Sequence, residues 1–193
     1  MDTRNVVDEF KGMSHEEIVR QLDARGVSLE IAVENLERDY NMGTIVRSAN
    51  AFGVRTVHVI GRRQWNKRGA MMTDKYLRVV YYATPEDFAA KVHAAGKTIV
   101  AIENNVASRP LAEAVFTPNA VLVFGSENSG ISAELLALAD QTFHIEQLGS
   151  TRSLNVGVAA GVAMYEWVWG GRSRDRENER TRDRESERSG SKC

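Results

Sequence analysis

The chain has 193 residues, 42% of them hydrophobic and 26% charged, enough for one globular domain with a real core. No apolar run approaches the roughly 20 residues that cross a bilayer, and the stretch MDTRNVVDEFKGMSHEE lacks a signal-peptide apolar region, so neither a membrane span nor export is expected. The net charge of −1 hides a division: the tail from Arg172 carries eight of the 25 basic and six of the 26 acidic residues, leaving the remainder at −3, so nucleic-acid binding would need a local basic patch.

Taken in order, Ser14-His15-Glu16-Glu17 has the S-x-x-E form of a capping box and predicts a short amphipathic helix to about Arg25, stopped by Gly26. Ser28 to Val33 reads as an apolar strand and Asn35 to Asn41 as a polar loop. Asn41 to Phe52 has helical spacing, with Met42, Ile45, Val46, Ala49 and Phe52 on one face and Gly53 as the stop. Thr56 to Ile60 is the next strand, Gly61 to Asp74 a basic loop bearing a Trp, and Val79 to Tyr82 a short strand. Pro85 to Ala95 predicts a helix with Pro at its start and Gly96 at its end.

Thr98 to Ile102 is a strand, Arg109-Pro110 opens an irregular connection, and Ala120 to Phe124 is the most strand-like segment of all. Ser132 to Ala139 predicts a helix, Gln141 to Ile145 a strand, and Asn155 to Trp169 a helix with a surface of Gly and Ala that lets a neighbour come close. Strands without internal alternation are buried on both faces, so the expected fold is α/β: a mostly parallel sheet of five or six strands flanked by helices. Residues 1–27 read as an N-terminal helical extension, 28–170 as the folded domain, and 171–193 as a disordered charged tail with no aliphatic or aromatic residue left to bury.

Four clusters carry candidate chemistry. Gly125-Ser126-Glu127-Asn128-Ser129-Gly130 follows a strand and precedes a helix, the position at which open α/β sheets bind ligands. It is neither a P-loop, because Ile131 stands where the phosphate-binding Lys is required, nor a dinucleotide fingerprint, because Glu127 takes the middle glycine position. A carboxylate there would repel a pyrophosphate and suits a cationic or zwitterionic ligand. The segment from Asn41 to Asn50 offers Asn41 and Arg47, the latter a clamp for phosphate or carboxylate. Arg62, Arg63, Lys67 and Arg68 around Trp65 suit looped RNA, through phosphate contacts and stacking. Ser150 to Asn155 adds hydroxyl and amide groups that can orient a substrate. Each also has a plainer reading as cap, turn, salt bridge or solvated loop. The histidines are scattered and Cys193 is the one cysteine, so no metal site and no internal disulfide are expected, which fits a cytoplasmic setting.

Three blocks together resemble one family. They are Asn41-x-Gly43-x-Ile45-x-Arg47 with its continuation to Val54, Leu122-Val123-Phe124-Gly125-x-Glu127-x-x-Gly130-Ile131-Ser132, and Ser153-Leu154-Asn155-Val156-x-Val158-Ala159. In this order they are similar to the SPOUT-class RNA methyltransferases, in the SpoU/TrmH branch of ribose 2′-O-methyltransferases, over about residues 29–168. The resemblance implies S-adenosyl-L-methionine as methyl donor, a deep C-terminal trefoil knot, a homodimer, and RNA as substrate, with tRNA ahead of rRNA. An RNA-binding protein of the same fold with little catalysis is the alternative. Carried over onto this chain, the reacting site is Asn41, Arg47, Glu127, Ser153 and Asn155, and the cofactor contacts, mostly main-chain, fall on Ile102, Gly125, Ile145 and Leu154. One departure stands out: where the family usually shows Ile-Pro-Met, this chain has Ile145-Glu146-Gln147, which makes the rim of the adenine pocket more polar.

Overall fold

Burial on alternate sides of one strand explains the layering. In β1 (Glu30–Asn35), Ile31 and Val33 are buried in one apolar cluster and Ala32 in another. Side chains alternate across a strand, so the sheet is covered on both faces. The computed structural model describes residues 6–35 and 41–170; the loop expected over 36–40, the first five residues and the tail 171–193 lie outside the described residues.

The remaining strands are β2 (Thr56–Gly61), β3 (Arg78–Tyr82), β4 (Thr98–Ile102), β5 (Arg109–Pro110), β6 (Ala120–Phe124) and β7 (Gln141–His144). They form one sheet in the order β3-β2-β1-β6-β4-β7-β5, and every pairing is parallel. In the centre Ile31 lies opposite both Val57 and Leu122. The sheet has seven strands rather than five or six. The addition is β5, expected as irregular connection, whose two residues pair with Phe143 and His144 at the sheet edge. An edge is where a proline costs no ladder hydrogen bond.

One face carries α2 (Asn41–Ala51) and α5 (Val156–Tyr165), whose Met42, Ile45, Val46, Ala160, Ala163 and Met164 join the larger cluster. The other carries α3 (Pro85–Ala94) and α4 (Ala133–Ala137), which bury Phe88, Val92 and Leu135. Caps start these helices where the sequence places them: Ser132 Oγ accepts from Leu135 N at 3.2 Å and Thr84 Oγ1 from Asp87 N at 3.2 Å. Ser14 likewise caps α1 (His15–Ala24), but Glu17 turns to Arg20 (2.7 Å) and leaves the capping box half made. The predicted helix over Ser132 to Ala139 shortens to α4, and the one to Trp169 ends at Tyr165 and continues as a π-helical turn, Glu166–Gly170.

Candidate active site

The loops after β4, β6 and β7 meet at the carboxyl ends of the strands, where an open parallel sheet presents its ligand crevice. The loop after β6 is a tight hairpin, with Ser126 and Gly130 exchanging both main-chain hydrogen bonds at 3.0 Å. A Cβ on Gly125 would lie 2.0 Å from the carbonyl carbon of Gly130, so only glycine closes this turn. Gly130 holds φ +68° with the Glu103 carboxylate directly above it, and Glu103 Oε2 accepts from Ile131 N at 2.8 Å. The buried Glu34, at the end of β1, anchors the far side by accepting from Ser132 N (2.7 Å) and Ser132 Oγ (2.6 Å).

These loops enclose a cleft of about 260 Å³, near the lower end of small-molecule pockets. The lining is mixed: Ile102, Ile145, Leu154, Val156 and Ala159 are apolar, and Glu103, Asn104, Ser126, Glu127, Ser129 and Gln147 are polar. The described lining holds two carboxylates, Glu103 and Glu127, and no lysine or arginine. That charge set rejects a polyphosphate and accepts a cation beside a flat apolar group. Gln147 Oε1 is buried in this lining with no hydrogen-bond partner among the described residues, so the cleft presents an acceptor ready for a ligand donor.

At the mouth of the cleft three side chains from distant segments close a ring. Asn41 Nδ2 donates to Glu127 Oε2 at 2.6 Å, while Asn155 Nδ2 donates to Asn41 Oδ1 at 2.9 Å and Glu127 Oε1 at 3.1 Å. Asn155 Oδ1 meanwhile caps α5, accepting from Gly157 N (3.0 Å) and Val158 N (3.3 Å). Two close approaches place the helices. A Cβ on Gly43 would lie 2.7 Å from Ala70 N, so α2 rests directly on the loop after β2, and a Cβ on Gly157 would lie 3.1 Å from the Thr44 methyl. Gly161, by contrast, has nothing near its missing Cβ, so of the two glycines of α5 only Gly157 makes a close approach.

Of the predicted residues, Asn41, Glu127 and Asn155 form the ring, and Ile102, Gly125, Ile145, Leu154 and Ser153 all line the cleft. Arg47 does not line it; it is exposed on the Thr44 side of α2 and makes no ion pair among the described residues. Arg62, Arg63, Lys67 and Arg68 are exposed on the loop after β2. That loop is pinned by Asn35 Nδ2, which donates to Arg62 O (2.6 Å) and Gln64 O (3.2 Å), and by the Lys67–Asp74 pair at 2.9 Å. The Asp74 hydrogen bond raises the Lys67 pKa, so this cation stays charged. Trp65 departs from the expectation of a stacking platform: it is half-buried against the core, with its indole N–H directed to Tyr81 OH at 3.4 Å. Glu103 and Glu34 were not singled out from the sequence for the site, although both stand just past or at strand ends, and that position is the one signal that would have flagged them; Gln147, expected at the rim of the adenine pocket, does line the cleft.

A parallel α/β sheet with a cation-accepting cleft and an amide–carboxylate ring at its strand ends has the build of a ligand-binding domain. Residues 28–165 match the SpoU rRNA Methylase family, and the chain belongs to it. It is 30% identical, over 83% of its length and 69% of the relative's, to a tRNA (guanosine(18)-2′-O)-methyltransferase of Escherichia coli. It superposes on the crystal structure of the Aquifex aeolicus TrmH/SpoU tRNA modifying enzyme with a TM-score of 0.71 at 27% identity, covering 85% of this chain and 84% of that one. The SpoU methyltransferase AviRb of Streptomyces viridochromogenes, solved in complex with the cofactor AdoMet, gives a TM-score of 0.66 at 26% identity, over 80% of this chain and 64% of that one.

Proposed function

We propose that this chain is an S-adenosyl-L-methionine-dependent RNA ribose 2′-O-methyltransferase acting on tRNA. The observation that carries the reading is the Asn41–Glu127–Asn155 ring at the mouth of a cleft whose charge set suits a sulfonium cofactor. The named tRNA methyltransferases among its relatives support the substrate class.

When bound, S-adenosylmethionine supplies an electrophilic methyl carbon on a positively charged sulfur. Ile102, Gly125, Ile145 and Leu154 would hold it, through main-chain groups and apolar side chains. Asn41, Glu127 and Asn155 orient the loops and the ribose, and Ser153 completes the rim. Arg47, exposed on α2, clamps the phosphate next to the target ribose. A guanidinium is a poor base, so its part is to position that phosphate, which accepts the proton of the 2′-hydroxyl. The loop from Gly61 to Lys75, with Arg62, Arg63, Lys67 and Arg68, and the segment 1–27 position the RNA. Residues 28–170 form the methyltransferase domain.

The reading extends to the trefoil knot and the homodimer. Asn104 Nδ2 donates to Arg152 O at 3.4 Å, so the segment after β4 lies across the chain leading into α5, which supports threading there. The described α5 is apolar all round, yet Val158 (55%), Val162 (41%), Tyr165 (57%) and, beyond it, Trp169 (43%) are exposed in one stripe, and a second copy covers it. Trp167 is not part of that stripe; it turns inward and donates to Thr117 O at 3.3 Å.

The full-length protein, given radiolabelled S-adenosylmethionine and bulk tRNA, transfers label that nucleoside mass spectrometry assigns to one 2′-O-methylated position. Arg47→Ala lowers transfer at least about 100-fold with cofactor binding by calorimetry nearly unchanged. Cofactor binding without transfer to tRNA or rRNA would instead favour an RNA-binding protein with little catalysis.

A further inference from the structure

Among the described residues three buried side-chain oxygens accept no hydrogen bond: Asn50 Oδ1, Thr117 Oγ1 and Gln147 Oε1. Only the last lines the cleft. A buried carbonyl oxygen left without a donor bears its full desolvation penalty. At a cleft wall that penalty is removed when a ligand brings an N–H group. Gln147 belongs to the loop that leaves Ile145, and it lines the cleft together with the apolar side chains of Ile145, Leu154 and Ala159. A flat ring suits those apolar side chains, and its hydrogen-bonding edge then decides what Gln147 meets.

We propose that Gln147 is a specificity residue of the cofactor site: its Oε1 accepts a hydrogen bond from the exocyclic 6-amino group of the bound adenine. The proposal rests on the methyltransferase reading above. It turns the departure from Ile-Pro-Met into a gain, since methionine in that place has no comparable acceptor. The other donor such a cofactor carries, the ammonium of its amino-acid part, is better matched by the carboxylates of Glu103 and Glu127 than by a neutral amide. A neutral acceptor in a cleft that also presents aliphatic side chains fits a neutral aromatic amine.

The distinction is between a 6-amino and a 6-oxo purine. Isothermal calorimetry compares S-adenosylhomocysteine with S-inosylhomocysteine on the full-length wild type and on Gln147→Met and Gln147→Glu. The wild type is expected to bind the adenosyl compound at least tenfold more tightly. Gln147→Met, of similar length, loses about five- to tenfold affinity for it, the worth of one hydrogen bond, with little change for the inosyl compound. Gln147→Glu, which keeps an acceptor in place, retains the preference and guards against a folding artefact in the Met variant. An undiminished preference in Gln147→Met overturns the proposal, as does a wild-type preference for the 6-oxo compound, which would mean that the amide nitrogen points inward. If the wild type binds neither compound, the cofactor reading itself fails, and that outcome is distinct from the loss of discrimination alone.

Discussion

Asn155 does two jobs with one carboxamide. Its oxygen caps α5 and its nitrogen bridges Asn41 and Glu127. Asn155→Ala removes both, and the lost cap alone is expected to cost about 1 kcal/mol in urea unfolding. Asn155→Asp separates them. Aspartate is an equally good cap, but it sets a second carboxylate against Glu127 and removes the donor. Methyl transfer at neutral pH should therefore stay as low in the Asp variant as in the Ala variant; recovery would show that the bridging hydrogen bonds are dispensable. These three residues were legible in the sequence because each sits in a motif block of its own. Glu103 was not legible, because its role depends on reaching Ile131 N over a turn that exists only with Gly130 at positive φ.

At the scale of elements, alternation of apolar strands and capped helices made the α/β layering legible, with boundaries within a few residues. The misses have local causes. A two-residue edge strand containing Pro110 carries no periodicity to read, and a single turn such as α4 is too short to fix its own end. The loop after β2 hides the largest surprise. Met71 (φ +48°) and Met72 (φ +66°) are consecutive left-handed residues, both exposed, in a sequence with no Asn or Gly at those two positions to announce the conformation. Thr73 Oγ1, donating to Ala70 O at 2.7 Å, and the contact of Gly69 with α2 hold them there. Met72→Val should consequently cost about 1–2 kcal/mol in chemical unfolding despite its exposure, whereas Met72→Gly should not destabilise. Equal stability of the two variants would refute the left-handed geometry.

For the whole molecule, the stripe from Val158 to Trp169 is the feature that a single copy leaves unsatisfied. If a second copy covers it, Val162→Glu buries an unpaired carboxylate at the interface. That change costs about 3 kcal/mol, on the order of 100-fold in the dimer dissociation constant. Light scattering should then report a monomer where the wild type is dimeric; a wild type that is already monomeric would sink the dimer. The ring at the cleft mouth has a temporal consequence as well. Asn41 waits for a partner 86 residues downstream and another 114 residues downstream. During synthesis the first two-thirds of the chain emerges with that amide unmatched by either, and the ring closes only once the start of α5 has left the ribosome. A product that stops before Asn155 contains the sequence of β1 to β7 but lacks the residue that completes the ring, so the site depends on the last helix being made.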